Sequence, residues 1–192
     1  MASTRFLASG LPVALALFLA CFVSETPATL TLPKTLDDLV RESDLIFVGT
    51  VEEVRSQWAD REKQSVETIV SFRVLTALRG AGGETVALRF AGGEVEGIRE
   101  VVAGVPEFER GQRYVVFARA TRAVSPLVGF DQGCLRVVGS EGELYVTDLA
   151  GRKLRIADGR LVPTATGDAT EALSLEGLLS AVRSRLSEGP RP

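Results

Sequence analysis

The chain has 192 residues, a length that favours one domain with terminal extensions. Its 22 basic and 25 acidic residues give a net charge of −3, and aromatic residues make up only 6%. Because nucleic-acid binding requires a basic surface with stacking aromatic rings, this composition argues against a nucleic-acid partner. The chain contains no histidine, which excludes Ser-His-Asp and Cys-His catalytic centres and removes the commonest transition-metal ligand. The absence of histidine excludes neither catalysis by carboxylates nor calcium binding.

Residues 1–28 are a predicted signal peptide. Arg5 precedes an apolar stretch whose uninterrupted part, residues 13–23, is too short to cross a bilayer comfortably. Small residues before position 29 offer a cleavage site, so we expect a secreted or periplasmic protein without a membrane span after cleavage. The alternative is a lipoprotein anchored at Cys21, although Leu19 is larger than the residue that such a signal prefers.

Residues 29–164 are predicted to form a β-rich domain that begins with a short helix. The helix spans residues 34–43, with Thr35 as its cap, two aspartates in its first turn and an apolar face at helical spacing. The first strand covers residues 45–54, and Gly49 in its middle predicts a bend or bulge.

Three more strands follow in the first part of this domain. Residues 66–74 and 85–90 alternate between apolar and polar side chains, which is typical of half-buried strands. Residues 114–117 form a short run of β-branched and aromatic residues, and this run predicts a strand buried on both faces.

The last part of the chain is predicted to contain short strands and a helix. Residues 127–130 and 134–138 are expected to form a hairpin, and three short strands between residues 144 and 162 to form a marginal meander. Residues 165–192 comprise a linker, an amphipathic helix capped by Ser174, and a tail. We expect the apolar stripe of this helix to cover its own domain rather than a partner helix or a membrane.

The least generic stretch is residues 91–118, where a glycine-rich acidic segment runs through a proline turn into the buried strand. Glycine permits positive φ and close backbone approach, and within a strand pattern it predicts a bulge or bend. Two glutamates alternate around Val95, so on an extended chain both carboxylates face one side. They form either a paired acidic site or a solvated strand edge. The candidate binding residues of this stretch are Gly92, Gly93, Glu94, Glu96, Gly97, Pro106 and Phe108.

Two further side chains in the domain have alternative interpretations. Exposed in its turn, Phe108 would anchor a partner; folded back, as we expect, it plugs one end of the domain. The apolar neighbours of Cys134 predict that its side chain is buried and acts as a small hydrophobic residue. Alternatively, it is a reactive thiol or forms an intermolecular disulfide. No calcium-loop motif of the DxDxDG type occurs, and we predict no metal, cofactor or catalytic residue.

Three stretches of the chain resemble a known pattern: SDLIFVGTV at residues 43–51, SFRVLTALRG at residues 71–80 and RGQRYVVFA at residues 110–118. In this order they are similar to OB-fold domains of the netrin and tissue-inhibitor-of-metalloproteinase type. The chain is more similar to a set of bacterial exported proteins of unknown function, in which stretches like residues 92–117 and 128–137 recur. The resemblance implies a mainly β fold, a small Greek-key (OB-like) β-barrel with a short N-terminal helix and an amphipathic C-terminal helix, and a binding role.

The predicted function is an exported, non-catalytic binding or interaction domain for a protein or ligand partner. Inhibitors of the resembled type use an N-terminal cysteine on a disulfide-tethered ridge, which this chain lacks after cleavage at residue 28, so no family residue is carried over. One alternative is a structural or chaperone-like envelope accessory of a secreted enzyme. The other is a carboxylate-dependent hydrolase that uses Glu94, Glu96 or Asp131.

Overall fold

The structure is a computed structural model, and it describes residues 32–121, 123–140, 142–164 and 172–188. The predicted signal peptide with Cys21, the predicted linker and the end of the tail lie outside these residues. In the described part the helices are α1 (Leu36–Glu42) and α2 (Leu175–Glu188). The strands are β1 (Leu45–Trp58), β2 (Val66–Arg79), β3 (Thr85–Ala91), β4 (Gly93–Val95), β5 (Ile98–Glu100), β6 (Arg113–Ala118), β7 (Cys134–Ser140), β8 (Glu143–Thr147), β9 (Leu154–Ala157) and β10 (Arg160–Pro163).

Six antiparallel strands form the main sheet in the order β3-β2-β1-β6-β7-β8, while β4–β5 and β9–β10 are separate hairpins. The predicted mainly β class, with a helix on either side of the strands in sequence, is confirmed. The sheet is not closed into a barrel, contrary to the expectation. The outer edge of β8 is occupied, because the Val146 amide donates to the Leu173 carbonyl (3.1 Å) and Thr147 bridges to Lys153. That edge therefore cannot pair with β3.

Bulges bend β1 along its length. Its register against β2 shifts at three places, and Gly49 lies at one of them, as predicted. A Cβ at Gly49 would approach the Arg73 carbonyl oxygen to 3.1 Å, so a side chain would crowd this bend. β6 pairs with β1 only over residues 45–50, whereas β2 follows β1 as far as Trp58. The far halves of β1 and β2 therefore extend beyond β6.

Each face of the sheet has its own hydrophobic core. On one face, α1 and α2 cover a cluster that includes Ile46 and Phe117. On the other face, the cluster includes Phe47 and Phe72, and the loop between β5 and β6 packs against it. Successive residues of a strand point to opposite faces, so β6 contributes to both clusters and is buried on both sides, as predicted.

Both helices begin at predicted capping residues. The Thr35 hydroxyl oxygen accepts a hydrogen bond from the Asp38 amide (3.0 Å), and the Asp38 carboxylate accepts one from the Thr35 amide (3.1 Å). The Ser174 hydroxyl oxygen accepts from the Gly177 amide (3.0 Å). The buried residues of α2, including Leu178, lie in the same cluster as the sheet, so the helix covers its own domain as expected. Neither helix among the described residues is long and apolar enough to cross a membrane.

The predicted hairpin before β7 is wrong. Leu127 makes only an isolated bridge to Ala118, and Phe130–Gly133 is a 3₁₀ turn that leads into β7. The reason is local, because Gly129 and Phe130 have φ of 65° and 58°, and left-handed residues end an extended segment. β7 pairs instead with β6 and β8.

Candidate functional site

The glycine pair after β3 turns the chain out of the main sheet. The Gly92 amide donates to the Val66 carbonyl (2.7 Å), and the Thr68 hydroxyl donates to the Gly92 carbonyl (2.7 Å). Gly92 and Gly93 have φ of 89° and 137°. A Cβ on Gly93 would lie 2.3 Å from Thr68 Oγ1 and 2.4 Å from Ser56 Oγ. A side chain at position 93 would have to displace these hydroxyls, and the positive φ also favours glycine, because the backbone passes close to the β1–β2 pair.

The β4–β5 hairpin follows this corner and places the two candidate glutamates differently. Glu94 lies on β4 opposite Arg99, whereas Glu96 and Gly97 form the two-residue turn with φ of 52° and 80°. Two positive φ angles are typical of a type I′ turn. The strand therefore ends before Glu96. The expectation that the carboxylates of Glu94 and Glu96 face the same side of an extended strand is wrong.

Glu96 ties the hairpin tip to the loop between β1 and β2. Its carboxylate accepts two hydrogen bonds from the Lys63 ammonium (3.0 and 3.1 Å), which itself lies 5.5 Å from the centre of the Trp58 ring. The hydrogen bonds and charge of Lys63 lower the pKa of the Glu96 carboxyl. Both side chains are largely exposed, and exposed ion pairs stabilise little, so this contact adds only weakly to the placement of the hairpin.

A cleft of about 340 Å³ opens between the far halves of β1 and β2, the β4–β5 hairpin and the loop before β6. Its lining includes five of the seven candidate residues and excludes the two of the hairpin turn. The lining candidates are Gly92, Gly93, Glu94, Pro106 and Phe108. The structure thus brings most of the glycine-rich segment and the proline turn to one place.

The floor of the cleft comes from residues that the sequence reasoning did not select. Val54 and Ser56 of β1 and Thr68 and Val70 of β2 line it. The alternation along residues 66–74 already placed Thr68 and Val70 on one face of β2. No short sequence pattern indicated that this face of β2 would be accessible, because the loop before β6, which covers it only in part, is distant in sequence.

Phe108 is folded back into the domain, as we expected. Its ring centre lies 4.9 Å from that of Phe90, 5.3 Å from that of Tyr114 and 5.5 Å from that of Phe72. It therefore forms a wall of the cleft and is not a free anchor. Beside it, Val54 is 40% exposed and Val101 is 75% exposed, so the cleft presents apolar surface to solvent.

Three glutamates and one arginine line the cleft, so the net charge of its lining is −2. Arg99 forms an ion pair with Glu107 (2.8 Å), and the Glu100 carboxylate accepts a hydrogen bond from the Val66 amide (2.8 Å). Glu94 is exposed, and its side chain forms no hydrogen bond or ion pair within the described chain, although Arg99 lies opposite it on β5. A solvated carboxylate next to exposed apolar side chains suits a ligand that carries both an apolar group and a cation.

The remaining candidate groups lie outside the cleft. Asp131, the third carboxylate of the hydrolase alternative, is exposed in the 3₁₀ turn before β7. Cys134 is buried in the cluster of the loop-covered face, as predicted, and burial raises the pKa of its thiol. A buried protonated thiol is inert. Across residues 32–188, as far as they are described, no cluster of three or more acidic or cysteine side chains is arranged to hold a metal ion.

No family model, curated protein or solved structure matches this chain. The resemblance to netrin-type domains and to exported bacterial proteins therefore stays a prediction.

Proposed function

We propose that this protein is an exported, non-catalytic binding domain and that the cleft beside the β4–β5 hairpin is its ligand site. The observation that carries the proposal is that the exposed valines Val54 and Val101 share the lining of one concave cleft with three glutamates. By contrast, the cluster under α1 and α2 is closed to solvent, and the exposed Leu75 of β2 lies outside the cleft.

The size and chemistry of the cleft support reversible binding. Its volume lies in the range of small-ligand pockets, and its lining combines apolar walls with a few polar groups. A ligand that takes an aliphatic side chain such as Val101 fully out of water gains about 1.5–3 kcal/mol from that burial. The surrounding walls are already positioned by the glycine corner and the ring contacts of Phe108, so binding orders few groups.

The experiment that tests the proposal is a titration with Nile red, a neutral apolar dye that fluoresces when it leaves water. We expect saturable enhancement with wild type and loss of it in Val54→Trp, which fills the cleft. Leu75→Trp is the matched control, because Leu75 is 44% exposed on β2 but does not line the cleft. Equal binding by the two variants, or none by wild type, would overturn the proposal.

A further inference from the structure

A free strand edge runs beside the cleft. The Val51 amide donates to the Gln112 carbonyl (2.9 Å), and the Gly111 amide donates to the Val51 carbonyl (2.8 Å), which ends the contact between β1 and the chain leading into β6. β1 continues to Trp58 and is paired there only with β2. In the described part of the chain, the outer edge of residues 53–58 therefore has no strand partner.

The backbone groups on this free edge can be assigned from the pairing pattern. The Val66 carbonyl points toward the β3 side, because it accepts the Gly92 amide. Hydrogen-bond direction alternates along a strand, so Glu67 and Ile69 bond to β1 at the positions of Gln57 and Arg55. It follows that Val54 and Ser56 direct their amide and carbonyl groups away from β2, to the open edge.

The same two residues line the cleft with their side chains. In an antiparallel ladder, residues directly opposite each other place their side chains on the same face of the sheet. A strand that bonds to Val54 and Ser56 would therefore project alternate side chains over the floor of the cleft. Glu94, whose carboxylate forms no ion pair within the described chain, lies on the rim of the same cleft.

We propose that the ligand of this cleft is an extended peptide segment that pairs with the free edge of β1. Every second side chain of the peptide lies over the floor, and these side chains combine aliphatic groups with a lysine or arginine that pairs with Glu94. This inference rests on the proposed function and names its ligand class. Strand addition supplies affinity through the backbone, and alternate side chains supply specificity.

The test uses fluorescein-labelled TVTKTVT and TVTETVT peptides and fluorescence anisotropy. We expect the lysine peptide to bind about tenfold more tightly than the glutamate peptide, the size of effect expected of one charge-assisted hydrogen bond. Glu94→Gln should bring the two affinities to within about threefold of each other. Glu84→Gln is the matched control, because Glu84 is exposed in the turn before β3 and does not line the cleft.

N-methylation separates strand addition from simple charge attraction. Methyl groups on the amides of the two valines and the lysine remove the hydrogen bonds to β1, and we expect affinity to fall at least about tenfold. Methyl groups on the threonine amides, which face away from β1, should cost far less.

The outcomes distinguish the two proposals. If Nile red binds at the cleft but neither peptide displaces it, or if both methylation patterns weaken binding equally, the strand inference is overturned and the ligand site stands. If wild type does not bind the dye, the proposed function is overturned, and the strand inference, which rests on it, falls with it.

Discussion

The two faces of the main sheet are covered by different kinds of structure. On one face α1 and α2 cover the central and β8 side of the sheet with buried side chains, among them Leu36, Leu178 and Val182. On the other face the loop of residues 101–112 supplies Val105 and Phe108 to the core, and both stay partly exposed. A helix presents an apolar side chain to the sheet every three or four residues, whereas this loop presents two in twelve. The cleft is what the loop leaves uncovered.

This difference concerns access and not stability alone. Both faces carry closely packed side chains whose removal leaves cavities, because Phe72 and Tyr114 under the loop are as fully buried as Leu178 under the helices. The loop-covered face retains exposed valines that a ligand can bury. The following experiments test this difference.

The largest effect is expected from Leu178→Ala on the helix-covered face. Leu178 is fully buried, and truncating a buried leucine lowers the free energy of unfolding by about 2–5 kcal/mol. Val101→Ala at the mouth of the cleft should change it by less than about 0.5 kcal/mol, because Val101 is mostly exposed. Urea denaturation measures both values. Similar losses in the two variants would contradict the distinction between the buried core and the open mouth of the cleft.

An intermediate effect is expected from Gly93→Ala at the corner that places the cleft. The added Cβ meets the Ser56 and Thr68 hydroxyls, and we expect unfolding to become easier by about 1–3 kcal/mol, with weaker Nile red binding. Gly97→Ala is the control, since it also has positive φ but no atom within 4 Å of a new Cβ, and it should cost about 1 kcal/mol. Unchanged dye binding in folded Gly93→Ala would show that the corner does not position the site.

The smallest effect is expected at the capping box of α1. The hydroxyl and the amide of Thr35 donate hydrogen bonds to Asp38 and lower the pKa of its carboxyl. A carboxyl whose pKa is lower in the folded state stabilises the fold above its unfolded pKa, and this contribution is lost as the pH falls through the folded pKa. Thr35→Ala should therefore cost about 1 kcal/mol near neutral pH and progressively less below the ordinary aspartate pKa of 3.8.

Urea denaturation near pH 7 and near pH 3 measures this change, with Thr35→Ser as the variant that keeps the hydroxyl. A cost in Thr35→Ala that is independent of pH would show that Asp38 does not take part in the cap.

Features that depend on neighbouring residues could be predicted from the sequence. Both helix caps, the bend at Gly49 and the double burial of β6 follow from short patterns, because capping, bulges and side-chain alternation are local properties. The sequence also selected the glycine corner and the proline turn, whose backbone requirements belong to these residues themselves.

Only the tertiary structure decided how these pieces meet. The sheet stays open because the chain at Leu173 and Ser174, distant in sequence, occupies the edge of β8. Glu96 leaves the strand face because the hairpin turn falls on it. Local propensity sets which segments are strands. Which strand edges are paired, and which faces of the sheet are covered, depends on long-range contacts that a short pattern does not encode. For the same reason, the sequence identified one wall of the cleft, while its floor at Val54 and Ser56 became recognisable only once the loop was in place above it.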